Sequence, residues 1–291
     1  MILIIGCIVV IGSVLGGFTM AGGEVMALWH LSEVVTIGGA ALGAMIMMSP
    51  SKVLIDLMKG IIAAVKGSPF NKRMYTDLFK LMYELLRVGR RDGLLALEPH
   101  LTNPHDSAIF KKYPKISHNH HVVTFLCDSF APIIEGSADA DTIRELIDAE
   151  LHVMEEEHHA AVGVLQKTAD ALPGFGIVAA VLGIVITMGA IDGPVEEIGH
   201  KVGAALVGTF MGILLSYGFL GPLAGRMEFL GASELAFFQT LGAIIVSCAG
   251  ESAPKVVIER ARRGVGTEYR PAREQLDALF KEAESSSSAA A

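Results

Sequence analysis

Two overlapping Glu-x-x-His pairs are the residues in this sequence whose spacing comes closest to a metal site. Glu155 precedes His158 by three positions, and Glu156 precedes His159 by three, the spacing found in di-iron helical bundles. The pairs are offset by one residue and so point about 100° apart on a helix, which prevents them from sharing one site. Inward-facing partner carboxylates are not apparent in the sequence, so we predict a solvated helix face and no bound metal.

Other patterns that carry chemistry are missing from the sequence. It has no nucleophile elbow, P-loop or dinucleotide-binding fingerprint, the motifs that indicate nucleophilic catalysis or nucleotide binding. Cys7, Cys127 and Cys248 are scattered and fit neither a disulfide framework nor a C-x-x-C metal pattern. The net charge of -8 argues against nucleic-acid binding, which needs a basic surface. We therefore predict a protein that is not an enzyme and has no cofactor.

The chain contains long apolar segments, and the helices that they form must position any functional residue. The chain is 52% hydrophobic and 19% charged, with a mean hydropathy of +0.50, which is too apolar for an ordinary soluble domain. Crossing the hydrocarbon core of a membrane takes roughly 20 helical residues. Four segments free of Asp, Glu, Lys and Arg have about that length: residues 1–23, 34–51, 171–191 and 202–225. The first lacks a basic n-region, so we expect a retained helix and not a signal peptide.

The distribution of Lys and Arg predicts the orientation of these spans. Of 23 such residues, fourteen lie between Lys52 and Lys167 and eight between Arg226 and Lys281, and basic segments next to spans stay in the cytoplasm. We predict an all-α, polytopic membrane protein with four transmembrane helices and both termini cytoplasmic. The apolar run 235–250 is then a soluble helix. The predicted domains are a first hairpin (1–51), a cytoplasmic helical domain (52–168), a second hairpin (169–225), and C-terminal helices with a disordered tail (226–291).

Helical periodicity continues after the first hairpin. Apolar residues within 53–65 recur at helical spacing, with Lys52, Lys59 and Lys66 seven residues apart, which predicts an amphipathic helix along the lipid of the inner leaflet. The same spacing predicts a helix at 75–90, stopped by Gly89 and Gly93, and a polar helix at 141–170 that leads into the third span. Residues typical of turns predict turns at NPHDS and KKYPKIS. The low-complexity end ESSSSAAA is predicted to be disordered.

The polar groups inside the four spans are hydroxyls, of which Thr187 and Thr209 are the most notable. Ion pathways normally contain an ionisable residue within the membrane, and the four segments have none. If the protein moves ions, a partner must supply the titrating group. Glu33, at the outer edge of the second span, either draws cations towards an entrance or is an interfacial carboxylate without a role.

Small residues interrupt the apolar spans at regular spacing. Ala204, Gly208, Gly212 and Ser216 fall four residues apart in the fourth span, and Gly176 lies in the third. Small residues at this spacing let membrane helices pack closely. The pattern fits generic helix packing as well as it fits a specific function.

Two prolines lie at a similar cytoplasmic depth in the second hairpin. Pro173 is near the start of the third span and Pro222 near the inner end of the fourth. Proline within a helix frees a carbonyl and bends the helix, so the pair indicates a hinge between the spans and the inner domain. Alternatively, Pro173 occupies a helix N-terminus after Asp170, where proline is tolerated.

Longer stretches of the sequence resemble a known family. LPGFGIVAAVLGIV, followed by GHKVGAALVGTFMGILLSYGFLGPLA, is similar to the last two spans of the MotA family, the A subunits of flagellar motor stators. The resemblance extends from GGEVMALWHLSEVVTIGGAALGA through RRDGLLALE, NPHDSAIFKKYP and GESAPKVVIERAR. It implies a homo-oligomer, a pentameric ring in the bacterial inner membrane, around the partner MotB, whose helix supplies an aspartate. Such a complex uses ion flow to turn the rotor through the rotor protein FliG.

The resemblance also implies roles for individual residues. Arg87 and Arg91 beside Arg90, and the histidine cluster SHNHH, depart from the family pattern. The implied roles are coupling prolines at Pro173 and Pro222, rotor contacts at Arg90 and Glu98, and an ion path along Ala180 and Thr209 with Glu33 near its outer mouth. To these the residue patterns themselves add the hydroxyl of Thr187 in the ion path and close helix packing at Gly176, Gly208 and Gly212.

The resemblance to the MotA family also implies which ion is used. Sodium-driven relatives carry threonines where this chain has Ala180 and Gly208, next to Thr209. Because a dehydrated sodium ion needs several oxygen ligands, the resemblance implies that protons are the coupling ion.

Two alternative functions remain open for the protein. The first is a force-generating ring subunit like ExbB and TolQ, which typically have three spans. The second is a stand-alone transporter, which requires an ionisable residue inside the bilayer.

Overall fold

A computed structural model describes residues 2–250 and 252–288, with side chains as far as Lys281. Within these ranges all regular structure is helical. The α-helices, in chain order, are α1 (Ile2–Met20), α2 (Leu31–Met48), α3 (Ser51–Lys66), α4 (Lys72–Asp92), α5 (Glu98–Thr102), α6 (Pro114–Ser117), α7 (His120–Ile134), α8 (Ala140–Met188), α9 (Val195–Ile213), α10 (Gly221–Ala249), α11 (Pro254–Gly264) and α12 (Arg273–Ser288).

The chain divides into two compact units that differ from the predicted domains. The membrane unit comprises Met1–Gly67 and Glu156–Gly231, and the helical unit comprises Ser68–Glu155 and Ala232–Ala291. Helix α3 belongs to the membrane unit because its buried Leu57 and Ala64 join a small cluster with residues of α8 and α10. Helix α3, which follows the predicted boundary at residue 52, thus packs with the spans, and the predicted cytoplasmic domain from residue 52 stays a prediction.

Within the described ranges, four stretches of helix are long and apolar enough to cross a membrane: Ile2–Met20, Val25–Met48, Ala140–Met188 and Val195–Ala249. They coincide with the four predicted spans. Helix α8 continues without interruption from its polar first half into the third span, as expected. Pro173 lies inside this helix, so the interpretation of Pro173 as a helix N-terminus is wrong.

Helix α1 is apolar on every side and has no buried residue within the chain. A helix that is hydrophobic all round is normally surrounded by lipid or by other spans. The exposed side chains of α1 are therefore suited to contact with lipid or with another subunit.

A short π-helix, Leu214–Leu220, joins α9 to α10. Pro222 follows it in the first turn of α10 and cannot donate a backbone hydrogen bond. The wider turn ends with the N–H of Gly221 bonded to the carbonyl of Ser216, five residues back. The fourth span thus contains a local change of helical geometry directly before its proline, as π-turns commonly provide.

The core of the helical unit is aromatic. Phe79, Phe110, Phe125, Phe237 and Phe238 are completely buried, and the ring centroids of Phe125 and Phe238 are 5.1 Å apart in an edge-to-face arrangement. Burying a phenylalanine side chain contributes about 1.5–3 kcal/mol. The run 235–250 packs its apolar face into this core, in accordance with the predicted soluble helix, although it is the continuation of α10 and not a separate element.

Three local predictions for the C-terminal and loop regions need correction. Helix α4 runs through Gly89 and ends at Asp92, before Gly93 with φ +89°, so Gly89 does not stop it. The segment KKYPKIS forms short helices at Phe110–Lys112 and Pro114–Ser117. Helix α12 includes the serine run as far as Ser288, contrary to the predicted disorder, and residues 289–291 lie outside the described residues.

Candidate functional site

The second hairpin is held together by a backbone-to-backbone contact between α8 and α9. A Cβ atom on Gly176 would lie 2.9 Å from the carbonyl oxygen of Gly208 and 3.2 Å from Cα of Gly212. A Cβ on Gly212 would lie 2.6 Å from the carbonyl oxygen of Leu172. Backbone atoms on both sides leave no flexible side chain to move away. Any side chain at Gly176 or Gly212 would therefore separate the two helices.

The contact continues towards the C-terminal end of α8 and the N-terminal end of α9. A Cβ on Gly183 would lie 2.7 Å from Cβ of Ala205. The order of the contacts along α8 and α9 is antiparallel, as expected for a hairpin. The first hairpin differs, because a Cβ atom added to any of four of its glycines would have no described atom within 4 Å: Gly12, Gly16, Gly39 and Gly43.

Glu33 is inserted into the same contact from α2. Its side chain is buried, with 7% exposure, and its Oε2 atom would lie 2.6 Å from a Cβ on Gly208. Oε2 has no hydrogen-bond partner among the described residues. The missing side chain of Gly208 therefore leaves room for the Glu33 carboxylate and for the close approach of α8 at Ala179 and Ala180.

The Glu33 carboxylate lies further along the spans than the position of Glu33 in the first turn of α2 suggests. The Cβ position of Gly208 that faces Glu33 is also 3.4 Å from the backbone nitrogen of Ala180, eight residues before the end of α8 at Met188. At 1.5 Å per residue, this places the carboxylate about 12 Å along α8 from the C-terminal end of that helix. Glu33 is at the level of the middle of the third span and not at the outer edge. No sequence pattern signals this depth, because a residue in the first turn of a span is normally taken as interfacial.

The structure brings three of the four predicted ion-path residues together. Ala180 is near Glu33, and Cα of Thr209 would lie 3.3 Å from a Cβ on Gly176. Thr187 is seven residues further along α8, about 10 Å away by helical rise. Its hydroxyl donates to the carbonyl of Gly183 at 2.8 Å, a local bond that satisfies a threonine within its own helix.

The two predicted coupling prolines flank the inner part of this hairpin. Pro173 follows Leu172, whose carbonyl contacts Gly212. Because proline has no N–H, the carbonyl of Ala169 loses its helical donor at this point. Pro222 is exposed and follows the π-helix. Each proline thus lies at a weakened turn of a helix that takes part in the hairpin.

Comparison with known proteins identifies the family. Residues 4–93 match the model of the motility protein A N-terminal region, and residues 109–231 match the MotA/TolQ/ExbB proton channel family. Motility protein A of Salmonella typhimurium is 36% identical over 277 residues, covering 95% of this chain and 94% of the relative. The chain belongs to the motility protein A family. Chemotaxis protein LafT of Vibrio parahaemolyticus is 34% identical and covers 96% of this chain and 98% of its own.

Solved structures share the fold of this motility protein A family member. The structure of MotAB from C. jejuni aligns with a TM-score of 0.77 and 20% identity, covering 93% of this chain and 98% of the other. The MotAB stator complex from Bacillus subtilis aligns with a TM-score of 0.74 and 22% identity, covering 94% and 97%. The all-α, four-span fold expected from the sequence is confirmed.

The helical unit carries the predicted rotor contacts, and only one of its three neighbouring arginines is unpaired within the described part of the chain. Arg91 makes a two-pronged hydrogen bond to the carboxylate of Asp92, and Arg87 lies over the ring of Tyr83 at 5.9 Å. Arg90 is exposed and makes no contact of this kind within the described residues. Its guanidinium is therefore available to a partner in this family member.

A tight turn brings Arg90 and Glu98 to the same corner of the helical unit. A Cβ on Gly89 would lie 3.2 Å from Cδ1 of Leu97, so the turn Leu94–Leu97 folds back onto the end of α4. Arg90 and Glu98 directly follow these two contacting residues in the chain, and both are exposed. The rotor role of Arg90 and Glu98 stays a prediction, and the structure adds that the chain between them turns back onto the end of α4.

The histidine pairs do not assemble a metal centre. Among the described residues, no group of three or more His, Cys, Asp or Glu side chains is placed to hold a metal ion. His158 instead packs its ring against Gly231, and its ring is 6.3 Å from that of His159.

Proposed function

We propose that this chain is the A subunit of a flagellar motor stator, which assembles with copies of itself and with MotB and converts ion flow into torque on the rotor. The observation that carries the proposal is the match of nearly the whole chain to motility protein A at 36% identity. The similar solved structures are MotAB complexes. We further propose a pentameric ring in the bacterial inner membrane and FliG as the rotor partner.

The distribution of exposed apolar side chains supports an assembly in the membrane. Helix α1 buries none of its residues, and the outward side of α8 exposes Val181, Leu182, Val185 and Ile186 by half or more. The glycine contact buries only the side of α8 that faces α9. The remaining surface is available for lipid, neighbouring subunits and the MotB helix.

The proposal is tested by expressing the chain together with a MotB partner in a cell that lacks its own stator. We expect swimming to be restored only when both proteins are present, and the two to purify as one complex. Restoration by this chain alone would show that it does not need MotB, and no restoration with both proteins present would contradict the stator proposal.

The N-terminal match separates the stator from the other ring proteins of its family. The family description includes TolQ and ExbB, but residues 4–93 match the N-terminal region of motility protein A, and the chain has four candidate spans. Both features favour the flagellar stator.

We propose protons as the coupling ion. The position of Ala180 offers no hydroxyl, and Gly208 leaves its space to the Glu33 carboxylate, so Thr209 is the one matched threonine. A sodium ion stripped of water needs more oxygen ligands than this. Swimming speed measured as potassium replaces sodium at fixed pH should stay constant, and a protonophore should stop rotation. Speed that falls and recovers in proportion to sodium would refute the assignment.

Pro173 and Pro222 are proposed to couple the ion path to the cytoplasmic part. Replacing Pro173 with alanine restores a donor to the carbonyl of Ala169 and removes a clash that costs about 3 kcal/mol in a helix interior. We expect Pro173→Ala to melt at the same or a higher temperature and to swim poorly. Gly174→Ala is the matched control, since nothing described lies within 4 Å of its side-chain position. Normal swimming of Pro173→Ala would remove the coupling role.

Both termini and the segment between α3 and the third span are proposed to be cytoplasmic. Introduced thiols report this once the native thiols are accounted for. Burial raises the pKa of Cys127 and of Cys248 to about 11, and the thiolate is the reactive form, while Cys7→Ser removes the third free thiol. An impermeant maleimide should label Ala21→Cys and Asp192→Cys in intact cells, and Lys66→Cys only after lysis. Labelling of Lys66→Cys in intact cells would reverse the topology.

A further inference from the structure

Two buried polar atoms without partners among the described residues lie at the start of α2. They are Nδ1 of His30 and Oε2 of Glu33. Leaving a buried polar group unpaired costs about 1–3 kcal/mol. Two such groups within four residues lower the free energy of unfolding, and apolar side chains at these positions would make the fold more stable.

The two residues occupy positions whose side chains normally meet. His30 is the N-cap of α2 and Glu33 is its third residue, the two positions that exchange hydrogen bonds in a capping box. Here the His30 side chain makes no capping hydrogen bond, and the Glu33 carboxylate points to Gly208 and Ala180. Both side chains are directed into the protein and not to the helix end.

His30 is closer to the outer end of the spans than Glu33. Glu33 is level with Ala180, and His30 precedes it by one helical turn, next to the turn Val25–Leu28 that packs against α9. A proton entering from outside would meet the imidazole before the carboxylate. Imidazole exchanges protons in the physiological pH range and can accept a proton on one ring nitrogen while it releases one from the other.

We propose that His30 relays protons between the outer surface and the carboxylate of Glu33. The imidazole takes a proton from the outer side, the opposite ring nitrogen releases one towards Glu33, and ring reorientation restores the starting tautomer. No redox step occurs, and each proton accepted is balanced by one released. The relay rests on the proposed function of a proton-driven stator and adds a residue to its path.

Other titratable groups around His30 are at the surface or paired. The turn Val25–Leu28 has none, and α1 has only Cys7. At the outer end of α9, Lys201 bonds to Glu197 at 2.8 Å. The remaining groups there are exposed: Glu24, Asp192, Glu196 and His200. Lys201 is also partly buried but is paired with Glu197, so His30 is the partly buried titratable group at this end whose Nδ1 has no partner among the described residues.

The test compares His30→Gln and His30→Ala with Ser49→Ala in cells that co-express the MotB partner. Ser49 is the matched control because its hydroxyl oxygen is also buried and has no partner among the described residues, at the opposite end of α2. Swimming speed is measured over external pH values from about 5 to 8, the range in which histidine titrates. Membrane levels of each variant are measured in parallel.

We expect His30→Gln to swim several-fold more slowly, with a flatter dependence on external pH, while Ser49→Ala remains normal. Added imidazole should raise the speed of His30→Ala, since it supplies the missing proton carrier, and should leave His30→Gln unchanged. A purely structural histidine would be replaced well by glutamine and would not respond to imidazole. Normal speed and an unchanged pH profile in His30→Gln would overturn the relay.

Failure of the relay can be distinguished from failure of the proposed function. If the wild-type motor stops when sodium is removed, the proton-driven stator itself is wrong. If the wild-type motor is proton-driven and His30→Gln has no effect, only the relay is wrong. If His30→Gln does not accumulate in the membrane, the imidazole response of His30→Ala decides, and its absence counts against the relay.

Discussion

The membrane unit and the helical unit of this chain are stabilised in opposite ways. In the membrane unit, glycines at positions 176, 208 and 212 allow backbone atoms of α8 and α9 to touch. In the helical unit, large side chains such as Phe79 and Phe237 are completely buried. Lipid is as apolar as the side chains of a span, so burying them there yields little, and close van der Waals contact between backbones replaces it.

The two units also differ in whether their charged side chains are exposed or buried. The helical unit keeps its charges on the surface, where Arg90 and Glu98 are exposed. The membrane unit buries the carboxylate of Glu33, whose Oε2 has no partner among the described residues. A surface charge is suited to steering a partner, whereas a buried carboxylate is costly and is normally kept for ion or proton movement. The proposed rotor contact and the proposed ion path therefore rest on different chemistry, an exposed charge pair in one unit and a buried carboxylate in the other.

The largest effect should follow from adding a single methyl group to the helix contact. Gly212→Ala would place Cβ 2.6 Å from the carbonyl oxygen of Leu172, so α8 and α9 must separate. We expect swimming to be abolished and less complex to be recovered with MotB. Gly203→Ala on the same helix has no described atom within 4 Å and should be neutral or slightly stabilising, because alanine is the better helix former by about 1 kcal/mol. Equal behaviour of the two variants would contradict packing by backbone contact.

The helical unit should instead be most sensitive to the loss of a large side chain. Phe237→Ala removes a completely buried ring that packs against Phe70 with ring centroids 4.9 Å apart, and we expect the free energy of unfolding to fall by about 3–5 kcal/mol. Ile186→Ala removes a side chain that is 62% exposed within the chain and should change it by about 0.5 kcal/mol or less. Thermal unfolding of the purified full chain, followed by circular dichroism, gives both values. A similar loss for both variants would mean that α8 is packed as a core helix.

A smaller effect is expected at the surface of the helical unit. Reversing the exposed charge in Arg90→Glu should reduce swimming while the complex still assembles, since exposed charges contribute mainly orientation and association rate. Arg91→Glu should have less effect, because Arg91 is already bonded to Asp92. A compensating reversal on the rotor protein should restore part of the speed. If Arg91→Glu is the more damaging variant, Arg90 is not the main rotor contact.

Sequence patterns predicted the four spans, the long helix α8 and the close packing at its small residues, because each depends on local composition and periodicity. They did not predict that Glu33 would reach the level of Ala180, since the depth of a side chain depends on how far neighbouring helices extend beyond its own. The same limit explains the error at Gly89. A glycine looks like a helix stop in sequence, and its contact with Leu97 becomes visible only once the following turn folds back.

The packing of α3 could not be predicted for a similar reason. Charge and hydropathy place a boundary where the spans end, but the contacts of Leu57 and Ala64 hold α3 in the membrane unit. Tertiary packing, which sequence periodicity does not encode, decides to which unit an amphipathic helix belongs.

The smallest expected effect concerns an ion pair in the helical unit, at α11. Glu259 accepts hydrogen bonds from Arg262 at 2.8 Å and from Arg263 at 2.9 Å, and these bonds, that of Arg262 first, lower its pKa to about 2. The folded pKa lies below the value of about 4.3 for an unfolded glutamate. The stabilisation is therefore complete above that value and is lost as the pH falls towards 2.

Glu259→Gln should reduce stability at pH 7 by only about 0.2–1 kcal/mol, because ion pairs near the surface are screened by water. Arg263, with 71% of its side chain exposed, contributes the weaker part, so Arg263→Gln is the control with a smaller loss. Unfolding temperatures of wild type and Glu259→Gln should differ at pH 7 and converge as the pH is lowered below about 4, where the wild-type carboxylate begins to lose its advantage. A difference that stays constant across this range would show that Glu259 stabilises α11 by packing and not by charge, and the contrast between a buried carboxylate in the membrane unit and a paired one in the helical unit would then fail.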